Sequence, residues 1–385
     1  METYDWIAIG GGITGSALSY ELAKKGFRVL LLEKDATHDN ATCYSYGGLA
    51  YWSGTTELTR QLCQEGIDLH RNLSEELGAD TEFRDIDLVL TIDLEDDPQT
   101  IASNYAHFAI SPQLLSVEEA CQLEPLLNPQ AIAGALRLPH AHIHPEKTNQ
   151  AYQQAFRRLG GEVKIEQVVG LLRQGDRVQG VRTLHQTYQA ANTVVCAGGL
   201  SRSLLQEAGI PAQIYFTHAQ LIKTPPADIQ LRTLVMPASL KRLAMEAKAS
   251  DPANESLWDR PGCELAPASL EPGAIQFLDG SLCIGQVSQV LTHPQAEVDP
   301  SASEAKIRKE AGNILPSLGN IPGTWHRCLV AFASHSRPSI GEINHLTGIY
   351  LFSGFTSTLV FAPPLAQHFA NWVAGEKAEM LDIFT

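Results

Sequence analysis

The sequence has few cysteines, a shortage of basic residues and no long apolar run. Its seven cysteines are scattered through 385 residues without a C-x-x-C pair, which argues against a disulfide framework or a structural zinc site. The 28 basic residues are outnumbered by 43 acidic ones, and the net charge of −15 argues against general binding to nucleic acid or anionic membranes. No apolar stretch reaches the ~20 residues of a membrane span, and Met1–Trp6 lacks the positive region of a secretory signal. We therefore expect a cytoplasmic protein with no transmembrane segment, no metal and no nucleic-acid partner.

Apolar residues, by contrast, are abundant. The 44% hydrophobic and 18% charged content is that of a folded globular protein. At about 150 residues per domain, the length predicts two or three domains.

A glycine-rich motif lies close to the amino terminus. The apolar run from Trp6 ends in Gly10-x-Gly12-x-x-Gly15, a helical pattern continues to Gly26, and Arg28–Glu33 follows as a buried strand. In this order the glycines allow a sharp turn and close approach to a pyrophosphate, which the helix amino terminus binds through free N–H groups. Glu33 is placed to accept hydrogen bonds from ribose hydroxyls and disfavours NADP. The predicted dinucleotide contacts are Gly10, Gly12, Ile13, Thr14, Gly15, Glu33 and Lys34.

Three later segments favour FAD over NAD. The first is the small-residue loop Asn40–Leu49, and the second is the buried strand Ala191–Cys196, which runs into Gly198 and Gly199. The third is Gly348–Thr358, a strand ending in a hydroxyl-rich loop, with a helix predicted from about Pro364 to Ala374.

With these segments in order, the sequence resembles the D-amino-acid oxidase family of flavoproteins, which includes glycine oxidases, sarcosine oxidases and D-amino-acid dehydrogenases. The matching segments are residues 6–15, 41–49, 193–201, 337–341 and 353–363. The resemblance implies FAD as cofactor. The further FAD-binding residues that it implies are Thr42, Gly47, Gly48, Leu49, Val168, Ala197, Gly198, Gly354, Phe355, Thr356, Ser357 and Thr358.

The fold class that the resemblance implies is α/β combined with α+β. A Rossmann-like FAD-binding domain at residues 1–85, 145–214 and 325–385 would be interleaved with a substrate domain at 86–144 and 215–324 that carries an antiparallel sheet. Two apolar runs around Asp279-Gly280 independently predict a β-hairpin. The polar, proline-containing segment Lys248–Gly273 is expected to be a loop, either a lid over the substrate or an inert insertion.

An amine oxidase needs no dedicated general base, and the sequence shows no convincing catalytic triad. For a substrate with a carboxylate, an arginine is the expected anchor. Arg60 matches the position of the sarcosine oxidase arginine, whereas the position of the glycine oxidase arginine holds Val330. The alternative for Arg60 is a solvent-facing charge on an amphipathic helix.

Four further residues follow from the resemblance. Cys328 matches the cysteine that binds flavin covalently in monomeric sarcosine oxidases, although a buried structural thiol would have the same sequence position. Cys283 stands where sarcosine oxidases carry a lysine whose charge favours reaction with oxygen. His218 and His335 are candidate catalytic residues or ordinary structural histidines.

The sequence therefore predicts an FAD-dependent oxidase or dehydrogenase. It would remove a hydride from the carbon beside nitrogen in a small amine or amino acid, and the imine product would then hydrolyse. Oxygen or a quinone would accept the electrons. An NAD-dependent dehydrogenase and a non-catalytic flavin-binding subunit or assembly factor are the alternatives.

Overall fold

The computed structural model describes residues 3–37, 39–334, 337–343 and 345–376. Its strands are β1 Thr3–Ile9, β2 Val29–Glu33, β3 Gly48–Leu49, β4 Arg84–Ile92, β5 Gln113–Leu115, β6 Gly134–His142, β7 Glu162–Ile165, β8 Val168–Gln174, β9 Arg177–Thr183, β10 Thr187–Val195, β11 Ile214–Lys223, β12 Leu234–Pro237, β13 Glu264–Gln276, β14 Leu282–Leu291, β15 Thr324–Ala333, β16 Ser339–Glu342 and β17 Ile349–Ser353. Its α-helices are α1 Ile13–Lys24, α2 Glu57–Leu77, α3 Pro98–Asn104, α4 Val117–Leu123, α5 Pro145–Arg158, α6 Ser201–Glu207, α7 Lys241–Ala249, α8 Pro300–Ile314 and α9 Thr358–Val373. Each of these helices is too short or not apolar enough to cross a lipid bilayer.

The first sheet is built around parallel strands. Its order is β16-β17-β10-β1-β2-β7, with the β8–β9 hairpin attached to β10. Every residue of β2 is buried, because Leu31 faces a helical layer while Leu30 and Leu32 face a second core on the other side. The helical layer contains α1, α2, α5 and α9. The predicted strand, glycine loop, helix and strand are confirmed, with α1 beginning at Ile13.

The second sheet is almost entirely antiparallel. Its order is β15-β11-β14-β13-β12-β4-β6-β3, with β5 on β6, and β12–β4 is its parallel pair. Helices α4 and α8 cover one face. The opposite face, called the inner face below, carries Leu221 and Cys283 and packs against Tyr46 and Trp52. The two sheets confirm the predicted fold class, and the β13–β14 pairing confirms the hairpin at Asp279-Gly280.

Strand β15 belongs to the second sheet. Its residues pair with β11 along the whole of Ile214–Lys223, although the predicted boundary at residue 325 assigned this strand to the FAD-binding domain. The domain boundaries as a set stay a prediction.

The segment 248–273 is not the predicted loop. It contains the end of α7, a 3-10 helix at Pro252–Leu257 and the first ten residues of β13. Pro267 and Pro272 lie where the register of β13 with β14 shifts, so their missing N–H groups fall at interruptions of the ladder. The 3-10 helix is held by Arg202 of α6, whose Nη2 lies 2.8 Å from Glu255 and 2.9 Å from Asp259.

Helix α9 begins earlier than predicted. It starts at Thr358 and contains Pro363 and Pro364 instead of starting at about Pro364. The two prolines lie in the second turn, where each removes one hydrogen bond to the carbonyl four residues earlier without ending the helix.

Candidate active site

The glycine loop between β1 and α1 has no space for side chains. A Cβ on Gly15 would lie 1.9 Å from the Gly10 carbonyl oxygen, and Gly10 itself has a φ of +107°. Gly12 caps α1 without a side-chain hydrogen bond, and Thr42 Oγ1 accepts a 3.0 Å hydrogen bond from the Ile13 N–H. The helix amino terminus therefore presents its positive end, with close backbone approach, to a ligand phosphate.

Glu33 lies beside this loop at the end of β2. It is buried, and its carboxylate accepts hydrogen bonds from the Gly11 N–H at 2.6 Å and the Asp35 N–H at 3.0 Å. From α5, Asn149 and Gln153 donate to the Gly11 carbonyl oxygen at 2.9 and 3.0 Å. The sequence did not indicate these two amides, because α5 is far along the chain from the motif. The ribose contact predicted for Glu33 stays a prediction, and so does the contact predicted for Lys34, whose exposed ammonium pairs with Asp35.

The predicted cofactor segments that follow β10 and β17 reach the same edge of the first sheet. Parallel strands β1, β10 and β17 run in one direction, so the loops after them emerge together. Ala197 and Gly198 follow β10, and Gly354, with a φ of +81°, follows β17. Phe355 is buried against Phe352. Thr356, Ser357 and Thr358 lead into α9, while Val168 lies at the start of β8.

The loop Asn40–Leu49 connects the two sheets. Thr42 binds the start of α1, whereas Gly48 and Leu49 form β3 and pair with His142 and Ala141 of the second sheet. Gly47 has a φ of +74°, and a Cβ there would lie 2.1 Å from the Ile143 carbonyl oxygen, whereas one on Gly48 would lie 2.6 Å from His140 Nε2. Burial lowers the pKa of both the His140 and the His142 imidazole to about 3, so both are neutral. Backbone conformation and the Ile143 carbonyl therefore require glycine at position 47, and packing against the His140 ring requires it at position 48.

Several reactive side chains share the inner face of the second sheet next to this loop. Lys223 of β11 pairs in register with Cys283 of β14, and Ala219 pairs with Cys328 of β15. Because directly opposed residues face the same side of a sheet and alternate residues repeat that side, these side chains share one face. Burial raises the pKa of both the Cys283 and Cys328 thiols to about 12. Val330 lies on the same face opposite Thr217.

Lys223 was not predicted from the sequence. Its ammonium donates a 3.3 Å hydrogen bond to the Cys43 carbonyl oxygen and lies 5.8 Å from the centre of the Tyr44 ring. Tyr44 stacks on His326 with ring centres 4.6 Å apart. The signal was a lysine at the end of a strand with no other lysine, arginine or acidic residue, but its position depends on the pairing of β11 with β14.

The predicted catalytic candidates lie apart. Arg60 is exposed near the start of α2, and its Nη2 donates to the His107 carbonyl oxygen at 3.4 Å. His218 is buried, and its position in β11 places it on the face opposite Lys223. Its Nε2 bonds the His293 carbonyl at 3.1 Å, and burial lowers its pKa to about 4. His335 lies outside the described residues. Roles for all three stay predictions, and the position of His218 does not support one.

The described residues fit an FAD molecule. The glycine cradle and the positive amino-terminal end of α1 suit its pyrophosphate, and Glu33 lies at the strand end where a ribose would lie. The loop Asn40–Leu49 would then guide the flavin ring toward the inner face.

Comparison with known proteins gives consistent results. A family model described as FAD dependent oxidoreductase (DAO) matches residues 5–372. The chain is 24% identical over 384 residues to glycine oxidase of Pseudomonas aeruginosa, covering 96% of this chain and 95% of that protein. It is also 24% identical over 378 residues to 4-methylaminobutanoate oxidase (formaldehyde-forming) of Paenarthrobacter nicotinovorans, covering 95% of this chain but only 43% of that longer protein. The crystal structure of glycine oxidase from Geobacillus kaustophilus superposes with a TM-score of 0.81 at 18% identity, over 100% of this chain and 98% of that one.

Proposed function

The chain belongs to the DAO family of FAD-dependent oxidoreductases, and on this premise we propose that it oxidises the carbon–nitrogen bond of a small amine or amino acid. FAD, when bound, takes a hydride from the carbon beside the nitrogen. The protein must hold that carbon at the flavin, keep water away and present the nitrogen without its extra proton. Hydrolysis of the imine product would give a carbonyl compound and ammonia or an amine.

One observation carries this proposal, namely the loop Asn40–Leu49 that joins the cofactor cradle to the inner face. Thr42 bonds the first turn of α1, and four residues later the Tyr46 hydroxyl lies 3.0 Å from where a Cβ on Gly285 of β14 would be. A ligand lying along this loop from the α1 terminus would reach the inner face. Its reactive ring would then lie between the two sheets, as oxidation of a small molecule requires.

Neither predicted position supplies a buried arginine that could anchor a substrate carboxylate. Val330 faces inward where the glycine oxidase arginine would be, and Arg60 is exposed at the start of α2. We therefore propose a small amine, rather than glycine or a D-amino acid, as the substrate class.

Oxygen is the electron acceptor that the inner face favours. The Lys223 ammonium is paired with the Cys43 carbonyl and with no carboxylate among the described residues. A fixed positive charge beside a flavin favours reaction with oxygen because negative charge develops there. A quinone acceptor and the cytoplasmic location stay predictions from the sequence.

Anaerobic mixing of the purified protein with amines, amino acids and hydroxy acids tests the main proposal. We expect amines to remove the visible flavin absorbance. If dithionite reduces the flavin but no amine or amino acid does, the proposal is wrong and the non-catalytic alternative gains support. A protein without flavin colour that oxidises substrate with NAD would support the dehydrogenase alternative.

Reoxidation of the dithionite-reduced protein tests the role of Lys223 separately. Lys223→Met should slow reoxidation by oxygen at least tenfold and leave anaerobic reduction by substrate almost unchanged. Lys306→Met, on the exposed side of α8, is the matched control. An unchanged oxygen rate in Lys223→Met, together with rapid reoxidation by a quinone, would favour a dehydrogenase.

A further inference from the structure

A cluster of charged residues with two buried carboxylates lies on the inner face beyond Val330. It contains one arginine, Arg242 of α7, and two carboxylates, Glu246 of α7 and Glu271 of β13. Glu246 and Glu271 are only 6% and 7% exposed. Arg242 Nη1 lies 3.1 Å from Glu246 Oε1, and its Nε lies 3.4 Å from Glu271 Oε2.

The contacts of Glu246 place the cluster over the candidate site. The Thr217 hydroxyl donates a 3.0 Å hydrogen bond to Glu246 Oε1, and Thr217 is the register partner of Val330. The Glu246 carboxylate therefore lies above the strand pair where an arginine anchor was expected.

The contacts of Glu271 lead toward the loop Asn40–Leu49. Gln286 donates to Glu271 Oε2 at 3.3 Å, and Gln286 follows Gly285, the residue that the Tyr46 hydroxyl approaches. The Tyr46 hydroxyl is shielded from solvent and has no hydrogen-bond partner among the described residues. Burial raises the pKa of Tyr46 well above its usual range, and Cys283 and Glu271 add to the rise. The phenol is therefore neutral and can donate a hydrogen bond.

The charge of this cluster is unbalanced. One guanidinium faces two carboxylates, so the three residues carry a net charge of −1 when both carboxylates are ionised. The second oxygens, Glu246 Oε2 and Glu271 Oε1, accept no hydrogen bond from the part of the chain that the structure describes. A buried carboxylate without a full set of partners is costly. A cationic ligand would remove that cost, whereas a ligand carboxylate would add to it.

We propose that Glu271 and Glu246 bind the ammonium group of the substrate and that one of these carboxylates accepts its extra proton before the hydride is removed, so that a cationic nitrogen, and not a carboxylate, fixes the substrate on the inner face. Arg242 acts as a positioning residue that holds the two carboxylates in place. This inference rests on the proposed function and specifies its substrate class as amines without a carboxylate next to the nitrogen.

Two ligands of the same shape and opposite charge test the proposal without turnover. tert-Butylammonium has no hydrogen on the carbon beside its nitrogen and cannot be oxidised, and pivalate carries a carboxylate on the same tert-butyl group. Each is titrated into the FAD-loaded protein at constant ionic strength, with the visible flavin spectrum and the thermal unfolding temperature as readouts. We expect saturable binding of tert-butylammonium and at least tenfold weaker binding of pivalate.

Glu271→Gln should weaken tert-butylammonium binding at least tenfold. Glu264→Gln, an exposed change on the same strand, should bind like the wild type. If Glu271→Gln does not fold or lacks FAD, Glu246→Gln is measured instead with the same expectation. The proposal is overturned if pivalate binds as tightly as tert-butylammonium, if neither ligand binds, or if a folded Glu271→Gln binds like the wild type.

The binding test and the oxidation test fail independently. Binding of tert-butylammonium in a protein whose flavin no amine reduces would contradict the proposed function and leave the ammonium site in place. The converse result is a protein whose flavin is reduced by amines but which binds pivalate, with that binding lost in Arg242→Met. This result would leave the proposed function in place and contradict the ammonium site.

Discussion

Loss of the His70 side chain is expected to weaken the start of α9, the helix that follows the predicted flavin loop. Pro363 has no N–H group, so the Leu359 carbonyl oxygen lacks its usual helical donor. His70 of α2 supplies a replacement, because its Nε2 lies 2.7 Å from that oxygen and the ring is fully buried. A carbonyl can only accept, so the imidazole must carry its proton on Nε2. Burial lowers the His70 pKa to about 4, consistent with a neutral ring.

The magnitude follows from the cost of an unpaired buried group. His70→Leu leaves the Leu359 carbonyl without a donor, which should lower the free energy of unfolding by about 1–3 kcal/mol. Pro363→Ala restores an N–H four residues after Leu359, so the helix can then satisfy the carbonyl itself. In a Pro363→Ala background, the same His70→Leu change should therefore cost less than about 1 kcal/mol.

Urea unfolding followed by far-UV circular dichroism, with FAD in excess, measures the four proteins of this double-mutant cycle. Release of flavin should occur at lower urea in His70→Leu, since Leu359 adjoins the predicted FAD contact Thr358. His185→Leu, at an exposed histidine, is the control and should cost little. If His70→Leu costs as much in the Pro363→Ala background as in the wild type, the carbonyl is not the reason for the loss.

Three other predictions concern the cofactor and pH. Gly15→Ala would bring a Cβ to 1.9 Å from the Gly10 carbonyl oxygen, so the variant should purify without FAD, and a wild-type ratio of visible to protein absorbance would contradict this. Acid precipitation should leave the flavin colour in the supernatant, whereas colour in the pellet that Cys328→Ser abolishes would establish a covalent bond. Acidification from pH 7 to 5 should lower the urea midpoint, because histidines in the unfolded chain bind protons below about pH 6.5 while the buried histidines of the folded protein do not. The free energy of unfolding should fall by at most about 1.4 kcal/mol per pH unit for each buried histidine. A midpoint that does not change would contradict that reasoning. The pKa is lowered to about 4 in His70 and His218 and to about 3 in His140 and His142.

The cofactor half of the site could be predicted from the sequence because the residues that form it are close together in the chain. Gly10, Gly12 and Gly15 run from the end of β1 to the first turn of α1, and Glu33 ends the next strand. Local chemistry specifies such a unit, since Gly10 has a positive φ and Gly15 leaves no room for a Cβ. The prediction at Asp279-Gly280 succeeded for the same reason.

The substrate half depends on strand pairing that one sequence does not specify. Lys223 and Cys283 are 60 positions apart, and only the antiparallel register of β11 with β14 makes them neighbours. Arg242 lies in α7, a helix that the sequence did not predict and that ends at the start of the segment expected to be a loop. A shift of one residue in β11 would exchange the inner and outer faces, so Lys223 and His218 could not be told apart in advance.

The inner face separates two kinds of charge along β11. Lys223 ends the strand, and Thr217, which bonds Glu246, lies six residues earlier, a distance of about 20 Å at 3.3 Å per residue. Glu271 lies nearer to Lys223 than Thr217 does, because Gln286, which bonds its carboxylate, is three residues or about 10 Å along β14 from Cys283, the register partner of Lys223. A cation that acts on the electron acceptor and a carboxylate that acts on the amine can therefore serve one flavin from different positions on the inner face. The two proposals consequently predict separable defects. Lys223→Met should alter reoxidation without affecting tert-butylammonium binding, and Glu271→Gln should alter that binding without affecting reoxidation. A variant at either end that changes both by similar factors would show that the two charges act on the same region of the site.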